Sequence, residues 1–357
     1  MNNVFFKSIT FLLIPLSWIW DAVHRIRRHF YFYGVFKQNH FEVPIISIGN
    51  LSFGGTGKTP FTLWMSKYLD EINMKVMILT RGYKGDLENS SGIIKAGRVL
   101  GFNSKEYGDE ATLLARRQKS VTVVVGKNRS SNLEYYFEEI NPDVVLLDDG
   151  HQHLKLSRNL NVVLFDVTMP LEKYKVAPLG YLREDFSALR DTDVIIFGKV
   201  NQVDGNIIQE LKKLIIPHVS KDTIYGQMNY RATGFFDVSY KKKFNLEHIK
   251  NKNVIAVAGI ASPDSFFELL IELEAKVIKT YTYPDHHYFS LEEMREILNT
   301  ADKHDALVIT TEKDMVKMRR IVDDSRMLYL EILIDFVSGE EEIKNILSEV
   351  FSSEKKI

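Results

Sequence analysis

The stretch that decides the fold is Gly49-Asn-Leu-Ser-Phe-Gly-Gly-Thr-Gly-Lys-Thr59. It follows a short apolar, β-branched run, Val43-Pro-Ile-Ile-Ser-Ile48, which reads as a strand buried on both faces. Pro60 comes next, where a missing N–H costs a first helical turn little, and Phe61 to Tyr68 reads as helix. Strand, glycine-rich loop and helix together form the setting in which successive backbone N–H groups cradle phosphates. In that setting Gly54, Gly55, Thr56 and Gly57 supply the loop. Lys58 suits the β- and γ-phosphates of a nucleotide, and the Thr59 hydroxyl suits Mg²⁺. The strict phosphate-loop pattern asks for glycine at residue 52, where the chain has Ser52.

Downstream, further apolar runs predict a doubly wound sheet: Lys75 to Thr80, Val121 to Val125, Asp143 to Leu147, Asn161 to Phe165 and Asp193 to Phe197. The fourth strand of the sheet ends in Asp148-Asp149-Gly150. Carboxylates at that place meet the second need of a nucleotide site, a hold on Mg²⁺. Taken alone, such a pair is a turn or a helix cap. Asp109-Glu110, opening a helical stretch, reads by itself as complementation of a helix N-terminus. His151-Gln-His153 has its imidazoles two residues apart, which suits a polar loop near phosphate better than zinc. Towards the C-terminus, Asn253 to Gly259, Lys276 to Tyr281 and Ala306 to Thr310 read as strands. They alternate with helices near Pro263 to Leu273 and Leu291 to Asn299. Ser290 with Glu293 forms a capping box on the second helix, which puts His286 and His287 in the loop before it.

Composition narrows the function class. In 357 residues, 46 Lys plus Arg face 47 Asp plus Glu, a net charge of −1 that excludes a generally basic nucleic-acid coat. There is no cysteine, so disulfides and thiolate metal sites are excluded. The mean hides one uneven region. Residues 1–41 carry 11 of the 41 aromatic residues and a net charge of +4, leaving −5 for the rest. The apolar run Ser8 to Trp20 has 13 residues and contains Pro15, short of the roughly 20 that span a bilayer. It predicts an interfacial segment, with Trp and Phe at the headgroup boundary and Arg25, Arg27 and Arg28 meeting anionic lipid. A first helix docked on the protein's own core is the competing expectation, and the two are compatible.

Several strings together resemble the tetraacyldisaccharide 4′-kinase family, the lipid A 4′-kinases, over nearly the whole chain. They are Pro44 to Pro60, Thr80-Arg-Gly-Tyr83, Gly108-Asp-Glu110, Leu147-Asp-Asp-Gly-His-Gln-His153 with Arg158, Ala177-Pro-Leu-Gly-Tyr-Leu-Arg-Glu184, Pro284-Asp-His-His287 and Thr311-Glu-Lys-Asp-Met-Val-Lys317. Ser52 conforms to the family. The Ala177 to Glu184 string departs from the usual Leu-Pro-Ala-Gly-Pro-Leu-Arg-Glu. The resemblance implies transfer of the ATP γ-phosphate to the 4′-hydroxyl of a tetraacylated glucosamine disaccharide 1-phosphate. It implies Asp109 as base, oriented by the histidine of Asp285-His286, with His287 directly after it. It implies Arg183 against the transferring phosphate, Tyr83 near nucleotide or acceptor, and Asp148, Asp149 and Glu110 with Thr59 around Mg²⁺. It further implies a peripheral place on the cytoplasmic face of the inner membrane, a lipid partner, no nucleic acid and no obligate protein partner.

The expected architecture is therefore α/β, with a P-loop NTPase-like, mostly parallel sheet, a second, smaller α/β domain and an N-terminal membrane-associated helix. Expected boundaries are 1–40 for the docking segment, 41–222 for the P-loop kinase domain, 223–240 for connecting strands and 241–357 for the smaller domain. The rival enzyme reading, a phosphate-loop GTPase or ATPase driving a partner, wants Asn-Lys-x-Asp. The chain offers Asn251-Lys252-Asn253-Val254, and the motif fails. A nucleotide-sensing membrane module is the non-enzyme alternative.

Overall fold

The run Val43 to Ile48 becomes the strand Ile45–Asn50, every residue of it buried, in a computed structural model that describes residues 2–98 and 103–354. The side chains of residues 2–12, and with them the expectations for Phe5, Phe6, Lys7 and Phe11, lie outside the described residues. The chain divides into two compact units, each assembled from separated segments. The first holds Met1–Leu79, Leu133–Asn229 and Ile334–Ile357; the second holds Thr80–Asn132 and Tyr230–Leu333. The boundaries drawn from sequence, 41–222 and 241–357, are linear, whereas these units are not. A parallel sheet forces the difference, because its strands are joined by crossovers that leave room for excursions.

In the first unit Ile45–Asn50 lies between Val144–Asp148 and Leu160–Asp166, parallel to both. Val76–Thr80 pairs beyond the former, and Val194–Gly198 beyond the latter. The start of a long strand, Ile224–Asp237, pairs in parallel with Val194–Gly198. Chain order thus reverses at Ile45–Asn50, and the crevice at such a reversal is where doubly wound sheets place ligands. Val76–Thr80, Val144–Asp148 and Val194–Gly198 are buried throughout, which is why they appear in sequence as unbroken apolar runs rather than alternating ones.

The N-terminal helix runs over Asn2–Phe32, with Pro15 inside it. It extends well past Trp20, where the apolar run stops, because its later turns are amphipathic. Leu16, Ile19, Val23, Ile26, Phe30 and Tyr33, spaced by three and four residues, are all exposed, as are Trp18 and Trp20. The opposite face is tied down. Ser17 Oγ donates to Val176 O at 2.9 Å and Trp20 Nε1 to Arg183 O at 2.9 Å. The three arginines expected to meet lipid bond inward instead: Arg25 to Asp185, Arg28 to Glu184, and Arg27 to Gln152 O at 3.1 Å. Glu184 is buried, so an adjacent guanidinium compensates its desolvation there.

The second unit has its own parallel strands. Asn253–Ala258 pairs with Lys276–Thr282 on one side and Leu307–Thr311 on the other, and Met327–Ser338 pairs beyond Leu307–Thr311. The helices Pro263–Glu272 and Leu291–His304 bury Phe266, Phe267, Leu270, Met294 and Ile297 in two apolar cores. The expected capping box on Ser290 and Glu293 is present. The helix Asp109–Arg117 and the helix Glu312–Met318 belong to the same unit. Between them Arg117 pairs with Glu331 and, at 3.4 Å, with Glu312. Burial, helped by the charge of Glu331 and opposed by Arg117, pushes the Glu312 carboxyl up to about 7. Its acid form therefore stabilises the fold. That stability is complete below the unfolded value of 4.5 and is lost as pH rises through about 7. Glu312→Gln, a neutral isostere, is expected to raise the melting temperature by roughly 2–4 °C at about pH 8 and to leave it unchanged at about pH 5. Thermal melts across that range check this; an equal loss at both ends would make the Arg117 ion pair the dominant interaction.

Candidate active site

The phosphate loop leaves the C-terminal end of Ile45–Asn50, and its geometry begins at Gly49. A Cβ there would stand 2.5 Å from the His151 Cβ and 2.6 Å from its backbone nitrogen, so only glycine lets the two segments touch. Gly54 and Gly57 have φ of 98° and 84°, and Gly57 caps the helix Lys58–Glu71. Ser52 forms an antiparallel bridge with Leu182, an extended conformation open to any residue, which explains why the strict pattern's glycine is not needed there. Phe53 N donates to Tyr181 O at 2.8 Å and Arg183 N to Leu51 O at 2.7 Å, so the loop and the Arg183 segment are stitched together by their backbones. Tyr181, a departure from the family string, donates its own N–H to Lys173 O at 2.9 Å, which a proline could not do.

Three predicted residues meet at this loop. Lys58 Nζ lies 3.4 Å from Asp149 Oδ1 and donates to Asn50 Oδ1 at 3.2 Å. Arg183 donates to both Asp149 oxygens at 3.2 Å. Asp148, buried at the strand end, accepts from Thr62 Oγ1 at 3.1 Å. Thr56 is buried, and its hydroxyl has no hydrogen-bond partner among the described residues. Asn50, Gln152 and Thr62 were missed as site residues. Gln152 donates to Asn50 O at 2.9 Å and takes part with Arg183 at 3.5 Å, and its place in a conspicuous His-Gln-His string was the available signal.

The donor set suits magnesium. Asp148, Asp149 and Thr59 offer only hard oxygens. Among the described residues no cluster of three or more carboxylate, histidine or cysteine side chains could hold a metal by itself. One or two carboxylates, completed by phosphate oxygens and water, is how Mg²⁺ is commonly held. Glu110, expected with this group, belongs to the second unit, where Lys313 is its partner at 3.5 Å.

The second unit builds a separate charged centre around Asp109. This residue opens the helix Asp109–Arg117, just after Gly108 with φ of 84°. His286 Nδ1 stands 2.9 and 3.0 Å from the two Asp109 oxygens. The ring beside Asp109 is thus that of His286; His287 turns to Glu293 at 3.0 Å and stacks on Tyr283. The Tyr83 ring meets His286 edge-on at 5.1 Å. Tyr288 donates to Lys84 O at 3.1 Å, and Lys84 to Asp285 O at 3.4 Å, fastening the Tyr83 loop to the His286 loop. Gly85 is required by closeness, since a Cβ there would stand 2.6 Å from Gly108 N.

Lys313 and Lys317 complete this centre, each with its Nζ 3.9 Å from Asp109 Oδ2. Lys317 is buried and forms an ion pair at 2.7 Å with the wholly buried Asp314. Burial favours the neutral acid of Asp109. The His286 hydrogen bond and the charges of Lys313 and Lys317 outweigh it, holding the carboxyl below its ordinary range. Asp109 is therefore a buried, ionised carboxylate at neutral pH, able to accept a proton.

With both centres described, their counterparts in known proteins become informative. A family model described as Tetraacyldisaccharide-1-P 4′-kinase matches residues 9–352. The Tetraacyldisaccharide 4′-kinase of Desulfotalea psychrophila is 34% identical, covering 85% of this chain and 86% of its own length. That of Bdellovibrio bacteriovorus is 31% identical over 92% of this chain and 95% of its own. Among solved structures, the LpxK protein of Aquifex aeolicus, crystallised in complex with ATP, superposes with a TM-score of 0.78 at 26% identity. That match covers 96% of this chain and 99% of that one. The chain thus belongs to the tetraacyldisaccharide-1-P 4′-kinase family.

Proposed function

We propose that the two centres serve one phosphoryl transfer: the phosphate loop holds ATP, and Asp109 takes the proton of the attacking sugar hydroxyl. The activity is that of the family, an ATP-dependent phosphotransfer to the 4′-hydroxyl of the tetraacylated disaccharide 1-phosphate, giving the 1,4′-bisphosphate. The observation that carries the residue assignment is the Asp109–His286 pair, a buried carboxylate bonded to an imidazole beside two lysines. As the new O–P bond forms and the bond to ADP breaks, the hydroxyl proton passes to Asp109, and His286 holds the carboxylate in place.

Gly54, Gly55, Thr56 and Gly57 supply the loop around the phosphates, and Tyr83 stands against His286, the partner of the base. Lys58 and Arg183, both on Asp149 in this structure, are the cations that meet the γ-phosphate charge. Thr59, Asp148 and Asp149 are the residues that would hold Mg²⁺. When bound, the ion neutralises charge between the β- and γ-phosphates. Positioning and charge neutralisation are most of what phosphoryl transfer asks of a protein.

The acceptor carries acyl chains, so the enzyme must work at a lipid surface. The outward stripe of the N-terminal helix supports peripheral docking, as expected for segment 1–40. No helix among the described residues is long and apolar enough to cross a membrane. Burying aliphatic and aromatic side chains in the interface favours binding through apolar area, and the arginines that bond inward contribute little charge to it. The cytoplasmic face of the inner membrane is the place proposed for this contact.

Three outcomes are expected. Radiolabelled γ-phosphate appears in the lipid; label released only as free phosphate would favour an ATPase. Asp109→Ala lowers kcat by roughly 10²–10⁴-fold with little change in ATP affinity, read by turnover and by calorimetry; lost ATP binding would make Asp109 a nucleotide or metal residue instead. Ile19→Glu with Ile26→Glu, both on the exposed stripe, weakens sedimentation with phospholipid vesicles while melting temperature holds. Unchanged sedimentation would move the docking surface elsewhere.

A further inference from the structure

The Thr311-Glu-Lys-Asp-Met-Val-Lys317 string has no role yet, although it places two cations at the base. Lys313 is the informative one. Its Nζ stands 3.3 Å from His286 Nε2, 3.3 Å from Asp285 Oδ1 and 3.5 Å from Glu110 Oε1. An ammonium has three donors and no acceptor. Toward His286 it can only donate, so Nε2 must be the lone-pair nitrogen. The ring's proton then sits on Nδ1, the nitrogen that faces both Asp109 oxygens.

We propose that Lys313 is a positioning residue for phosphoryl transfer: by donating to His286 Nε2 it fixes the Nδ1–H tautomer that orients Asp109. The inference rests on the reading of Asp109 as the base. Two features of the surroundings sustain it. The charged and titratable groups facing His286 are Asp109 and Glu110 from one helix, Lys313 and Lys317 from another, Tyr83 with Lys84 from the adjoining loop, and Asp285 from its own. Burial opposes a charge on Lys313, but Glu110, Asp109 and Asp285 outweigh it and hold the ammonium above its ordinary range, so it stays a donor. Without Lys313, Asp285 Oδ2, 3.6 Å from Nε2, becomes the nearest partner on that side. It is an acceptor, so the ring proton would move to Nε2 and leave a lone pair on Nδ1 facing Asp109. Two acceptors face to face cannot hold each other, and the base loses its orientation.

The alternative is that Lys313 only balances acidic charge in the fold. Lys313→Met and Lys313→Arg separate the two. The methionine variant is expected to lose roughly tenfold or more in kcat with KM for ATP little changed. Arginine, also a donor without an acceptor, restores most of kcat. Histidine ¹⁵N spectra of the full chain, with the His286 signal identified from its loss in His286→Gln, report the ring nitrogens directly. An unprotonated Nε2 in the wild type that becomes protonated in Lys313→Met supports the proposal. Protonated Nε2 in the wild type, or a kcat loss with an unmoved spectrum, overturns it. Should Asp109→Ala retain transfer, the base assignment falls, while the spectra still decide what Lys313 does to His286.

Discussion

The first unit depends on a contact with no room in it. Strand Ile45–Asn50 ends where Gly49 lies against the backbone of His151, so the phosphate loop and the turn after Asp148 and Asp149 form one object. Gln152 closes the same contact from the other side through Asn50 O. Lys58 and Asp149 come within 3.4 Å because two adjacent parallel strands end together there, not because of any local signal in either loop. A side chain at Gly49 would separate them. The glycines of the loop itself are needed for backbone conformation; Gly49 is needed for distance.

Around Asp109 the problem is different, since charges are buried. Asp109, Asp314 and Lys317 are all taken out of water. A lone buried carboxylate would become a neutral acid, and a lone buried lysine would lose its proton. Here each has an opposite partner within 4 Å, and Asp314 also accepts from Gly259 N and Thr311 Oγ1. The arrangement is costly for stability compared with an apolar core. Its return is chemical: an ionised carboxylate with little water around it, whose orientation is set by an imidazole and whose charge is set by lysines.

Much of this was legible in the sequence, and the residues show why. Parallel strands are buried on both faces, so Val76–Thr80 and Val144–Asp148 announce themselves as apolar runs within a residue or two of their true ends. The capping box at Ser290 is local chemistry and was read directly. The strand Met327–Ser338 was missed, its outer half being partly exposed and broken by Glu331 and Asp335. So were the lysine partners of Asp109, although its histidine was expected: Lys313 lies more than two hundred residues away, and a lysine leaves no local sign of what it will pair with. Proximity produced by a fold leaves no periodic trace.

The N-terminal helix shows where composition misleads. The excess of +4 over residues 1–41 invites a reading as a basic surface for anionic lipid, yet Arg25, Arg27 and Arg28 bond to the protein's own acceptors. Arg28 neutralises buried Glu184, and Arg25 bridges to Asp185. Those acids directly follow Arg183, whose carbonyl holds Trp20 and whose guanidinium holds Asp149 beside Lys58. The helix that presents an apolar stripe outward is therefore bonded on its inner face to the segment that carries a phosphate-facing cation. A cationic lipid anchor would need its arginines free. Here they serve as the inner-face attachments, and among the described residues it is an apolar stripe that the helix turns outward.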